Sequence, residues 1–242
     1  MRDGREDEAT GAHGSCLVSS LHGSTVVADW WQGRLCAAWL RPGQVVSTYT
    51  YALEELYSDQ DYDWVVDTIP AVLAWVPGKS QRKNTQPFRF PLRHLVRNQT
   101  VSHELDLSWS TEKLLARDAE VLRRADRLRT GKTVHREHMT EVAAYGLTLV
   151  AISVLMPGRR VTGMNLGVAP DFLFDATPGR ITGVETAGRS TGGWGALGRL
   201  ADGTRTEPGK RAQLLARNDI AEVHLSLWCG SARSMLMEQV RP

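Results

Sequence analysis

The sequence is poor in cysteine, in net charge and in long apolar runs. Its three cysteines, Cys16, Cys36 and Cys229, stand at no metal-ligand spacing. So sparse and odd a set excludes a disulfide framework and a zinc ribbon, and suits a reducing cytosol in which free cysteines act as small buried hydrophobes. A net charge of +2 over 242 residues does not by itself mark a nucleic-acid binder. The longest apolar run, GLTLVAISVLM (146–156), is too short to span a bilayer and reads as a buried helix. The opening stretch, MRDGREDEATGAHG, lacks the apolar centre of a signal peptide and reads as a disordered tail over residues 1–14. These absences together predict a soluble, cytoplasmic globular protein.

One absence is local. Residues 68–103 hold no aspartate or glutamate, yet carry Lys79, Arg82, Lys83, Arg89, Arg93 and Arg97 with Phe88 and Phe90 among them. Two readings stand. Either the cations neutralise phosphates while exposed rings stack on bases, or this is a basic loop whose phenylalanines face the core.

What remains is the pattern of an α/β protein. β-Branched and aromatic residues predict strands over 16–52. DYDWVVDTIPAVLAWV (61–76) has helical spacing, with Pro70 requiring a kink or two shorter helices. One helix is predicted over 110–129, capped by Ser110, and a second over 134–156, which starts polar, turns apolar on all sides and is hence laid against a sheet. Strands follow at 159–168, 171–175 and 180–188. Then come a glycine-rich loop, RSTGGWGALGRL, a helix from about Pro208, a strand over 221–229 and a final helix in SARSMLMEQV. The division expected is a tail (1–14), a smaller α/β region of unassigned fold (15–105) and a C-terminal domain (106–242). Trp30, Trp31 and Trp39 in the middle region suit either a core or a partner surface.

The chemistry concentrates in APDFLFDATPGRITGVETAGR (169–189). A hairpin turning at TPGR sets Asp171 opposite Glu185 or Thr186, depending on loop length. Opposed Cβ atoms lie about 4.5–5.5 Å apart, so Asp171 and Glu185 can chelate one hard divalent cation. Glu185 sits in an apolar run, where a charge is costly unless paired or metal-bound. Glu141, in the polar first half of the 134–156 helix, is either a third ligand or a solvated carboxylate. Two residues past Glu185, on the same strand face, stands Ala187. Arg189, Ser190 and the following glycines suit either contact with a nucleic-acid backbone or a flexible loop. His135 and His138 share a helix face with Glu141, which a polar helix start explains as well as a metal does.

Pro170-Asp171, thirteen intervening residues and Glu185-Thr186-Ala187 resemble the PD-(D/E)XK nuclease superfamily, the restriction-endonuclease-like fold. The upstream Glu141 helix and an αβββαβ order agree with it. The resemblance spans roughly residues 133–242. It implies that Asp171 and Glu185 bind Mg²⁺ (or Mn²⁺), with Glu141 assisting, and that the activated water attacks a phosphodiester of DNA, in bacterial defence or DNA processing. The sequence departs from the family at Ala187, where a lysine orients that water. Three explanations follow: Arg189 or Lys210 substitutes; the protein is an inactive nuclease-fold subunit for nucleic-acid binding or protein assembly; or the alanine was introduced.

Overall fold

The computed structural model of the chain describes residues 19–21, 24–26, 47–79, 85–97, 99–130, 135–165, 167–177 and 180–242. Two units are separable. In Met1–Val45, the described residues form an antiparallel pair, β1 (Ser19–Leu21) with β2 (Ser24–Val26). The three tryptophans and Cys16 and Cys36 lie outside the described residues, as do Arg82 and Lys83 further on.

Val46–Pro242 is built on one mixed sheet of eight strands. They are β3 (Ser47–Ala52), β4 (Phe88–Val96), β5 (Gln99–Ser108), β6 (Val161–Met164), β7 (Phe172–Thr177), β8 (Arg180–Arg189), β9 (Glu222–Cys229) and β10 (Ser234–Arg241). Their order across the sheet is β3-β5-β4-β10-β9-β8-β7-β6. Strands from both sides of residue 105 thus belong to one sheet, and that position lies inside β5.

The helices are α1 (Leu56–Asp59), α2 (Tyr62–Val65), α3 (Thr68–Lys79), α4 (Thr111–Arg117), α5 (Val121–Arg129), α6 (Arg136–Leu155), α7 (Trp194–Asp202) and α8 (Lys210–Leu215). They cover both faces. Residues of α3, α5 and α6 pack with Phe90, Leu105, Val184 and Trp228 in one apolar cluster. Leu197 and Ala201 of α7 and Leu214 of α8 pack with Val223, Leu225 and Leu227 in the other. The helix predicted around Pro70 is two helices, α2 and α3, with Pro70 in the first turn of α3, where a missing N–H costs nothing.

Helix α6 is the central support. Glu137–Leu155 is long and apolar enough to cross a membrane, but it is mostly buried within the protein, which accounts for its composition. Glycines let it come close. A Cβ on Gly146 would lie 2.7 Å from Val72 Cγ2 of α3, and one on Gly188 of β8 would lie 2.9 Å from Thr140 O and from Ala144 Cβ.

Three local expectations are corrected. The helix over 110–129 is interrupted at Asp118, which is extended and whose side chain accepts from Glu120 N at 3.0 Å, competing with the helix for that amide. Ser110 does cap α4, accepting from Lys113 N at 3.3 Å. The glycine-rich loop contains α7, because burial of Ala196, Leu197 and Ala201 outweighs the poor propensity of glycine. The final helix is instead β10, flanked by β4 and β9; a strand covered on both faces reads as a continuous apolar run, the same signal a buried helix gives.

The basic segment is also resolved into a strand. Along β4, Phe88 and Phe90 are buried while Arg89 and Arg93 are exposed, so the rings belong to the core and do not stack on bases. Arg89 makes a two-pronged contact with Asp106 at 2.8 and 3.0 Å. Arg93 lies 4.0 Å over the Trp194 ring, and Arg97 is exposed in the turn after β4. Lys79 closes α3.

Candidate active site

The pairing of β7 with β8 sets Phe172 against Val184, which carries Asp171 alongside Glu185. The Pro170-Asp171 segment is held from several sides. Asn165 donates its backbone N–H to Asp171 O at 2.8 Å and its side-chain amide to Pro170 O at 3.0 Å, and Arg217 hydrogen-bonds Ala169 O. Gly183 supplies the space: a Cβ there would stand 2.4 Å from Pro170 Cγ. The Asp171 carboxylate accepts from Thr186 N at 2.6 Å and from the Tyr145 hydroxyl at 3.4 Å.

Tyr145, on α6, carries the contact outward, since the same hydroxyl lies 3.0 Å from Glu141 Oε1. The sequence reading missed this residue. Its signal was position: it stands four after Glu141, hence on the same helix face. Glu141 itself is exposed and reaches Asp171 only through Tyr145.

Glu185 is only 2% exposed. Lys210 Nζ donates to its Oε1 at 2.5 Å, while its Oε2, also buried, has no hydrogen-bond partner. Lys210 opens α8 immediately after Gly209, which packs so closely on the end of α7 that a Cβ would lie 2.2 Å from Ala201 O. Gly203, at φ +83°, faces Pro208 across the same loop. The two glycines let the loop close tightly just ahead of Lys210.

Ala187 packs among the α7–α8 apolar residues on the Glu185 face of β8. Arg189 is exposed at the end of that strand. Ser190 is tied down: its hydroxyl lies 2.8 Å from Thr140 Oγ1, which also accepts from Trp75 Nε1. His138 lies 3.7 Å from Glu141, a carboxylate that is itself exposed.

Burial, followed by the charge of Glu185, pushes the Asp171 carboxyl up to about 7, against the Thr186 amide, Lys210 and Tyr145, which favour its ionised form. Burial and the two carboxylates beside it raise the Tyr145 phenol, so it stays a proton donor. Two acidic groups thus sit together with one cation and one orphaned oxygen.

These features suit a divalent cation, which would satisfy Glu185 Oε2 and offset the burial and the Glu185 charge that together raise the Asp171 carboxyl. Among the described residues no three His, Cys, Asp or Glu side chains gather into a metal-ligating group. A cation here would have Asp171 and Glu185 as its protein ligands. That fits Mg²⁺, which takes its remaining oxygens from water and phosphate, better than a cage-forming metal. Comparison with known proteins finds no family model, curated protein or solved structure that matches the chain.

Proposed function

We propose that the protein is a metal-dependent nuclease of PD-(D/E)XK type acting on DNA phosphodiesters, with Lys210 serving in place of the lysine that Ala187 lacks. The observation that carries this reading is the Lys210–Glu185 contact at 2.5 Å beside the buried Asp171. A cation delivered from α8 instead of from β8 reaches the same carboxylate.

Asp171 and Glu185 would hold Mg²⁺ or Mn²⁺, which supplies a nucleophilic water and charge stabilisation when bound. Lys210 would orient that water and offset charge developing on the phosphate, Tyr145 would fix the Asp171 carboxylate, and Arg189, at the open end of β8, would meet the strand. The expected setting is the cytoplasm, in DNA processing or bacterial defence. A second reading draws on the same contact: an ammonium already neutralising Glu185 also suits an inactive nuclease-fold subunit that binds nucleic acid or a protein partner.

Cleavage of plasmid and linear DNA in Mg²⁺ or Mn²⁺ separates the two. The nuclease reading expects cutting by the chain as it stands, abolished by Glu185→Gln and strongly reduced by Lys210→Ala. Uncut DNA from a folded chain, with Ala187→Lys also inert, would overturn it in favour of the subunit.

A further inference from the structure

We infer that the cleft lined by Tyr145 receives one unstacked nucleobase of the strand being cut; this rests on the nuclease reading above. The cleft has a volume of about 480 Å³ and is lined from α2, α3, α5 and α6. That lies within the roughly 300–1,000 Å³ usual for pockets enclosing a small ligand. Trp64, Met139, Val142 and Met164 give it apolar walls, and Tyr145 is among its lining residues. Because the Tyr145 hydroxyl bonds Asp171, a group seated in the cleft is one side chain away from Asp171.

The charges around the cleft are divided. Asp63 and Asp67 line it from the α2–α3 side, Arg124 and Arg127 from α5. Arg124 is already paired through Nη2 with Asp118, with its Nε buried behind that contact, whereas Arg127 is exposed with no ion pair among the described residues. A nucleotide matches this division: exocyclic amino groups of the base face Asp63 and Asp67, the ring lies against Trp64, and phosphate meets Arg127. A lipid chain would use none of the four charges. Bases stacked inside a duplex cannot enter, so the substrate is single-stranded or frayed DNA, and adenine, with its amino group, is preferred to thymine.

The test is fluorescence anisotropy in EDTA, where no strand is cut, with labelled octamers of deoxyadenylate, of thymidylate and of abasic deoxyribose phosphate. Wild type is expected to bind the adenine octamer roughly tenfold or more tighter than the abasic one, with thymine between. Val142→Trp, which fills the cleft without touching Asp171 or Glu185, should bring all three to one affinity. Arg127→Ala, at an exposed position that does not threaten folding, should weaken the adenine octamer several-fold. Equal binding of adenine and abasic octamers by wild type, or unchanged preference in both variants, overturns the inference. The cutting assay is read separately. Cleavage without base preference removes the cleft and leaves the nuclease, whereas base preference without cleavage removes the nuclease and leaves a nucleotide-binding cleft.

Discussion

Lys210 and Glu185 come from different elements, α8 and β8, and meet at 2.5 Å over a carboxylate that is 2% exposed. Removing the lysine strands a buried charge, so Lys210→Ala should destabilise the protein by about 3–5 kcal/mol. On the nuclease reading it should also lower cleavage by roughly 10²–10³. Adding Ala187→Lys to that variant returns an ammonium to the same face of β8 and should recover a large part of both losses. Urea unfolding and single-turnover cleavage of the two variants check this; recovery of stability with no recovery of cutting would leave Lys210 a structural partner only.

Asp171 makes stability depend on pH. Its folded value of about 7 lies above the ordinary 3.8, so the native state holds a proton that the unfolded chain has lost between these values. The stabilisation it contributes is full below pH 3.8 and is lost as pH rises through about 7. Asp171→Asn should flatten that part of the profile. Millimolar Mg²⁺ should raise the wild-type Tm more at pH 8 than at pH 5 and leave the variant unchanged, as thermal unfolding across pH will show.

His94 acts in the opposite sense. Burial, followed by the charges of His103 and His224, lowers it from 6.5 to about 4. Here the unfolded chain holds the extra proton, so the contribution is full above pH 6.5 and is lost as pH falls through about 4. His94 lines a cavity of about 250 Å³ with Arg159, Glu222 and His224, and Glu222, held at about 2 chiefly by its hydrogen bond to His224, stays ionised throughout. His94→Gln should make urea unfolding midpoints less acid-sensitive between pH 4 and 6.5, without altering the slope above pH 6.5.

Gly183 is placed to report on the site through packing alone. A methyl group there would collide with the Pro170 ring at 2.4 Å, forcing Pro170-Asp171 or β8 to shift. Gly183→Ala should cost about 1–3 kcal/mol and move the Asp171 carboxylate off the Thr186 amide. Cleavage should then fall more than stability explains, with activity measured at a temperature where the variant is folded. An equally active, equally stable variant would show that the glycine's space is not needed.

The sequence made the site's pair of carboxylates legible because a hairpin of known period has few registers, and Asp171 beside Glu185 is one of the two it allowed. It made α6 legible because an apolar helix needs cover. Tyr145 was hidden, since a tyrosine four residues from a glutamate on an apolar helix looks like any core aromatic. So was the nature of β10: SMLM offers no period to separate strand from helix, and only the neighbours β4 and β9 decide it. Helix α7 was hidden by its glycines, whose low propensity is overruled by a packed face that exists only once the sheet does.

The placement of β10 has a kinetic consequence. It joins β3-β5-β4 to β9-β8-β7-β6, pairing parallel to a strand far earlier in the chain. Neither half of the sheet touches the other by strand pairing until this one slots between them. The slowest event in folding should therefore be the insertion of Ser234–Arg241, and contacts so distant along the chain make for slow folding. Amides of β10 should be the last to exchange with solvent deuterium, protected by the whole sheet at once.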